Sequence, residues 1–324
     1  MKTILITGAT GFAGSFLAEL LVETPENKVY GTYISDKSLE NVASIQDKAT
    51  FHKLDLTIVK DVAALIEKLQ PDEVYHLAAL PSPADSFDNP AGYLNNNSTA
   101  EVNILEALRV AGLTRTKVLV VASSEVYGLV DGKDLPVNEE APLCPINPYG
   151  VSKITQDFLG LQYFLAYGMP VIRVRPFNHI GPRLSDKFAA SAFAKKIVEI
   201  ERGDHEPVLR VGNLDSKRDL TDVRDVVHGY ELLLERGTPG EVYNLGSGKS
   251  HKTQDVLDIL LSLSDKKIAI ETDEKLLRPQ DIPDIYADTS KLVAATGWKP
   301  EIPLETSLRD LLAYWRQILY NKKD

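Results

Sequence analysis

Six short apolar runs recur along the first half of the 324-residue chain: Ile4–Thr7, Val29–Tyr33, Thr50–Lys53, Val74–Leu77, Val118–Ala122 and Val171–Arg175. Each is followed by a longer stretch with apolar residues at helical spacing. Strands covered by helices on both faces read as continuous Val, Ile and Leu rather than as alternation. This rhythm therefore predicts an α/β fold, a doubly wound parallel sheet over residues 1–176. After Pro176 the alternation loosens, with loops near Gly181–Asp186, Gly203–Pro207 and Asp273–Asp284, so a smaller mixed α/β part is expected over 177–324. Glu241–Leu245 reads as another strand, and the chain is expected to re-enter the first part near 215–248. The stripe Leu308, Leu311, Leu312, Trp315, Ile318 and Leu319 marks a final helix packed on a core.

The first strand runs into Gly8, Gly11 and Gly14, and a helix is expected to begin near Ser15. Three glycines at this spacing, after a strand and before a helix, suit a dinucleotide. The first permits a tight turn, the second lets backbone approach a pyrophosphate, and the third allows close helix contact. The free amides of the helix N-terminus add positive potential. Tyr33, at the end of the second strand, stands where an acid would bond the adenosine ribose, so the choice between NADPH and NADH stays open. Asp36 comes late in that loop. Asp55 and Leu56, after the third strand, are candidates to hold the adenine, and a helix cap by Asp55 is an equal alternative.

Ser123 and Ser124 end the fifth run, and Tyr149 precedes Lys153 by four residues on a segment where Asn147 can cap, Pro148 suits the first position and Gly168 follows the last turn. Residues four apart share a helix face. An ammonium there is expected to pull the phenol towards neutrality, so that Tyr149 exchanges a proton with a carbonyl or carbinol oxygen while Ser123 hydrogen-bonds it.

Composition narrows the partners. With 36 basic against 46 acidic residues the formal charge is −10, which argues against a general nucleic-acid binder. Cys144 is the only cysteine, so an intrachain disulfide and a thiolate cluster are excluded. The six histidines lack ligand spacing, and no metal is expected. The amino terminus reaches glycine before any apolar stretch of signal-peptide length. No later run approaches the roughly 20 residues that span a bilayer, so a cytoplasmic protein without membrane partners is expected.

The segments TGATGFAG (7–14), HLAA (76–79), SSEVYG (123–128) and YGVSK (149–153) together resemble the extended short-chain dehydrogenase/reductase family over essentially the whole chain. That resemblance implies a Rossmann-type sheet binding NADPH or NADH and a smaller nucleotide-sugar-binding part. Ser123, Tyr149 and Lys153 would be catalytic, Lys153 also bonding the nicotinamide ribose, and Asn97 would position that lysine through a helix. Thr10, Phe12, Leu77, Ala78 and Ala79 would lie beside the coenzyme, and Ser82, Ser124 and Glu125 beside the substrate.

RPFNHIGP (175–182) and VGNLDSKRDLTDVRD (211–225) resemble the branch acting on GDP-mannose derivatives. There Asn178 would bind the diphosphate, His179 would contact the nicotinamide region, and Arg218 and Arg278 would pair with phosphate. Asn213, Arg183 and Lys187 would face the nucleotide. A guanidinium fork suits a diphosphate, although surface ion pairing explains these arginines too. The implied reaction is reduction of a GDP-linked 4-keto-6-deoxy sugar. The alternative is 4,6-dehydration of GDP-mannose with Glu125 as acid/base, since dehydration needs an added group at C5 and C6. Against that stand GATGFAG, where the dehydratase pattern has a Gln-Asp pair before its last glycine, and NHIGP in place of NHESP. A more distant alternative is a non-catalytic, dinucleotide-responsive regulatory protein, against which the intact Ser, Tyr and Lys set argues. Relatives of this kind often pair through the helices near Asn97 and Lys153, so a homodimer is expected.

Overall fold

The computed structural model describes residues 1–276 and 281–321, so Arg278 and the tail 322–324 lie outside the described residues. Seven parallel strands form the main sheet: β1 (Lys2–Thr7), β2 (Asn27–Tyr33), β3 (Ala49–Lys53), β4 (Glu73–His76), β5 (Lys117–Val121), β6 (Val171–Pro176) and β10 (Val242–Leu245). Their order is β3-β2-β1-β4-β5-β6-β10. Helices α1 (Phe12–Val22), α2 (Val59–Leu69), α3 (Pro90–Val110), α4 (Pro148–Tyr167) and α6 (Val223–Arg236) cover its faces. The continuous apolar runs are explained by β1, where Ile4 and Ile6 pack with Leu17 and Tyr230 on one face and Leu5 packs with Ile66, Ile104 and Leu108 on the other. The chain reverses direction across the sheet between β1 and β4, the switch point outside which such sheets bind ligands.

Several boundaries differ from expectation for identifiable reasons. Helix α1 starts at Phe12, not near Ser15, because extended Gly11 is already its N-cap. The stretch that returns to the sheet is Val223–Leu245, later than 215, because β9 (Lys217–Asp222) pairs elsewhere. It lies with β7 (Asn178–Ile180), β11 (Ser250–Lys252) and β13 (Asp284–Ile285) in a smaller mixed sheet, while β8 (Val208–Val211) pairs with β12 (Ala269–Thr272). Helices α5 (Ala189–Arg202), α7 (Thr253–Ser262) and α9 (Leu304–Asn321) enclose a separate core with Leu308, Leu311 and Leu312 at its centre. The short α8 (Ser290–Thr296) packs near α6. Among the described residues no helix is long and apolar enough to cross a membrane.

Helix α4 begins and ends as its sequence predicts. Asn147 Oδ1 accepts from Gly150 N at 2.7 Å, and Gly168 closes the helix at φ +66°. Its buried face is anchored by charge. Asp157, fully buried, accepts from Arg173 Nη1 at 2.5 Å and Arg175 Nε at 2.6 Å. Arg175 also donates to the Tyr127 hydroxyl at 3.0 Å, which donates to Asn244 Oδ1 at 2.6 Å. Helix α4 is thereby tied to β6, β10 and the loop after β5.

Candidate active site

Two cavities meet at the carboxyl ends of the central strands. The first, of about 490 Å³, is bounded by the glycine turn, the ends of β2, β4 and β5, and the start of α4. Its glycines are required by geometry: Gly8 sits at φ +68°, and a Cβ on Gly14 would meet the Gly8 carbonyl oxygen at 2.2 Å. No side chain caps α1, which leaves its first amides for an anion, and a dinucleotide coenzyme fits this cradle. Gly11, Thr10, Phe12, Leu77, Ala78 and Ala79 line the cavity as expected.

At the ribose end Tyr33 lies with Ile34, Ser35 and Ser38, and Thr10 Oγ1 and Ser38 Oγ share a hydrogen bond of 2.7 Å. Asp36 is paired with Lys53 at 2.5 Å. No carboxylate among the described residues lines that end to repel a 2′-phosphate. Asp55 and Leu56 are not brought to the wall. Asp55 accepts from Thr57 N at 2.9 Å and Thr57 Oγ1 at 2.7 Å in a local turn, and Leu56 is buried in the core beneath α2 and α3.

Ser123, Ser124, Tyr149 and Lys153 all open onto this first cavity. Ser123 Oγ accepts from Glu125 N at 3.2 Å, and the Ser123 side chain works against the rise of the Tyr149 phenol. Lys153 Nζ stands 5.8 Å from the centre of the Tyr149 ring and donates to Val121 O at 2.8 Å. The expected acidification of the phenol is not found. Burial pushes Tyr149 up, Ser123 opposes this, and the charge of Glu125 adds to it. Burial also lowers Lys153 to about 8, opposed by the charge of Glu101. Tyr149 therefore stands as a neutral phenol, the form that can give a proton. Asn97, fully buried on α3, acts through the neighbouring residue: its Nδ2 donates to Ser152 Oγ at 2.9 Å, while its Oδ1 accepts from Leu80 N at 2.8 Å.

The second cavity, of about 540 Å³, lies between α5, β8 and β9. Pro83, Glu125, Asn178, His179, Leu184 and Phe188 line both cavities and so mark their junction. His179 stacks on Phe12 at 5.4 Å between ring centres, and burial lowers its pKa. The expected substrate residues Lys187, Asn213 and Arg218 line the second cavity, but each cation already has a partner. Lys187 pairs with Asp85. Arg218 donates to Asp281 Oδ1 at 2.7 Å and to Ile282 O at 2.6 Å, and Asn213 Nδ2 donates to Asp281 Oδ2 at 3.1 Å. Arg183 borders the coenzyme cavity instead, forked onto Glu19 at 2.7 and 3.0 Å and stacked over Phe16. Ser82 is buried, accepting from Asp85 N at 3.1 Å, between Pro81, which lines the first cavity, and Pro83, which lines both. Sequence reasoning missed Phe188, Phe193 and Leu209, because apolar residues on α5 and β8 read as ordinary core. It also missed Asp281, whose tie to Arg218 spans 63 residues.

The family described as GDP-mannose 4,6 dehydratase matches residues 5–311. A GDP-6-deoxy-D-mannose reductase from Pseudomonas aeruginosa is 36% identical over 264 residues, covering 82% of this chain and 86% of that protein. A GDP-mannose 4,6-dehydratase from Yersinia enterocolitica is 29% identical over 97% of this chain and 93% of its own length. Among solved structures, RMD from Pseudomonas aeruginosa complexed with NADPH superposes with a TM-score of 0.85 at 32% identity, covering 98% of this chain and all of that one.

Proposed function

The chain belongs to the GDP-mannose 4,6-dehydratase family and is an NAD(P)-dependent enzyme acting on a nucleotide sugar; from that premise we propose that it reduces the 4-keto group of GDP-4-dehydro-6-deoxy-D-mannose to GDP-6-deoxy-D-mannose (GDP-D-rhamnose). The observation that carries this reading is the junction of the two cavities beside Ser123, Tyr149 and Lys153. A sugar reaching through it from the second cavity would present its ring to the proton donor. The bound coenzyme would lie along Gly8, Gly11 and the start of α1, where its nicotinamide would supply the hydride for C4.

Negative charge develops on the sugar O4 as the carbonyl is reduced. Tyr149 gives its phenolic proton to that oxygen, Ser123 donates a hydrogen bond to it, and Lys153 offsets the charge left on the phenol. Residues 1–176 with the returning strand would serve the coenzyme, and 177–324 would mainly serve the GDP moiety. Arg218 and Lys187 would release Asp281 and Asp85 to meet the diphosphate. Two copies would pair through α3 and α4, a reading supported by the exposed Val151, Phe158 and Leu165, seven residues apart on α4. Sedimentation of the purified chain as a single copy would remove that part of the reading.

A second reading, 4,6-dehydration of GDP-mannose, is favoured by one observation: Glu125 lies at the junction itself. In the reductase reading its carboxylate instead braces the helix start, since Glu125 Oε2 accepts from the amide of the capping Asn147 at 2.8 Å. The purified chain given GDP-mannose, and separately the 4-keto-6-deoxy sugar with NADPH or NADH, distinguishes the two by product. Glu125→Gln is expected to lower 4-keto reduction by no more than about tenfold, the effect of weakening one hydrogen bond. A dehydratase would convert GDP-mannose without net consumption of coenzyme and would lose that conversion in the variant.

A further inference from the structure

Helix α1, which opens onto the coenzyme cavity, is gripped by a side chain from the segment after β7. Phe12, Ser15, Phe16 and Glu19 recur at helical spacing and so share one face of α1. Arg183 lies against that face. Its Nη1 donates to Ser15 Oγ at 3.1 Å and to Glu19 Oε2 at 3.0 Å, its Nη2 donates to Glu19 Oε1 at 2.7 Å, and its guanidinium stands 4.5 Å from the centre of the Phe16 ring. Glu19 Oε1 also accepts from Ser44 Oγ at 3.0 Å. At the start of the same face His179 stacks on Phe12, which packs against both the core of the main sheet and the core around α5, α7 and α9.

The backbone at Arg183 is strained. Its φ is +71°, a left-handed conformation that a residue with a Cβ adopts only at a cost in free energy. The turn sends the guanidinium back to α1 and carries Leu184 to the junction of the two cavities. Leu184 O accepts from Ser191 Oγ of α5 at 2.6 Å, and that hydroxyl accepts from Trp315 Nε1 of α9 at 2.9 Å. Contacts therefore run without a break from the coenzyme helix, through Arg183 and Leu184, into the helices of the second core. Stability alone gives little reason for this arrangement. The Arg183 and Glu19 side chains are 20% and 27% exposed, and water at an ion pair weakens its contribution to folding.

We propose that Arg183 is a positioning residue that couples the two cavities: it fixes the wall carrying Leu184 against α1, so that coenzyme and nucleotide sugar bind with positive cooperativity. The coupling rests on the reading above for the GDP moiety as the occupant of the second cavity. A pyrophosphate at the start of α1 would order the face that grips Arg183, and a nucleotide in the second cavity would order the wall beyond it. Whichever ligand arrives first then lowers the ordering cost of the other, and by linkage the effect is equal in either order.

Fluorescence titration of the full chain with NADPH, without and with saturating GDP, tests the coupling. GDP is expected to tighten NADPH about tenfold in the native protein. In Arg183→Met each ligand alone should bind within about threefold of the native value, while the tightening falls to about twofold or less. Arg183→Lys keeps the charge without the fork and should recover part of the effect. Glu19→Gln should weaken the coupling too, and combining it with Arg183→Met should do no more than Arg183→Met alone, since both changes remove the same contact. A merely structural role would lower the melting temperature and weaken both ligands with their coupling intact, and that result overturns the proposal. So does a native chain in which GDP leaves the Kd for NADPH unchanged. If Arg183→Met does not fold, Glu19→Gln and Arg183→Lys decide the matter in the same titration. Reduction of the 4-keto sugar by a chain without coupling sinks the role of Arg183 and leaves the catalytic reading standing, whereas coupling that depends on Arg183 in a chain that does not reduce the sugar does the reverse.

Discussion

Replacing Tyr149 with Phe is expected to lower kcat for the 4-keto sugar by about 10³-fold, while the Kd for NADPH stays within a few-fold of the native value. The change removes a single hydroxyl, on a side chain that opens onto the coenzyme cavity beside Ser123. The coenzyme cradle is made by other elements, chiefly the Gly8–Gly14 turn and the ends of β2 and β4. Steady-state rates and a fluorescence titration of NADPH separate the two quantities. Native turnover would remove the phenol from the chemistry, and a large loss of coenzyme affinity would mean that Tyr149 is chiefly a binding residue. The sign of the pH dependence follows from the same geometry. Burial holds the phenol protonated, and Lys153 carries its proton below about pH 8, so both groups are competent at neutral pH. Turnover should decline as pH rises through the lysine value.

Asp157→Ala is expected to destabilise the fold by about 3–5 kcal/mol, because it strands the buried guanidinium groups of Arg173 and Arg175 without a counter-charge. This is a larger effect than an exposed ion pair would give, as all three side chains lie inside, where water cannot replace the lost partner. A urea midpoint lowered in proportion would bear this out. A loss below about 1 kcal/mol would mean that the arginines find new acceptors, such as the Gly240 and Glu139 carbonyls that they already touch.

The parts of the molecule legible in its sequence are those with local physical signatures. Strands β1, β4, β5, β6 and β10 announce themselves because they are buried almost throughout, whereas the edge strand β3 is only partly covered. Helix α4 is bounded by Asn147, Pro148 and Gly168, each acting within a few residues of its own position. Pairings over long sequence separations leave no such trace. Glu19 stands against Arg183, and Asp281 against Arg218 across the smaller sheet, partners that no local pattern announces. Ser82, Asp55 and Leu56 have plausible positions in the chain but are turned into a local turn or the core. The state of Tyr149 is hidden from the sequence for a related reason. Spacing on a helix gives the neighbour, Lys153, but not the depth of burial, and here burial raises the phenol. Glu101 and Asp157 illustrate the same gap, since charged residues on helices ordinarily face water and these two face inward.

Passage of hydride to sugar C4 with protonation of the oxygen by Tyr149 leaves an isotopic record in the product. The purified chain is incubated with GDP-4-dehydro-6-deoxy-D-mannose and coenzyme carrying deuterium at the transferable nicotinamide position. The predicted product is GDP-6-deoxy-D-mannose with one deuterium at C4 for each coenzyme oxidised. Product lacking that label, or GDP-mannose converted to the 4-keto sugar with no net oxidation of coenzyme, would contradict it.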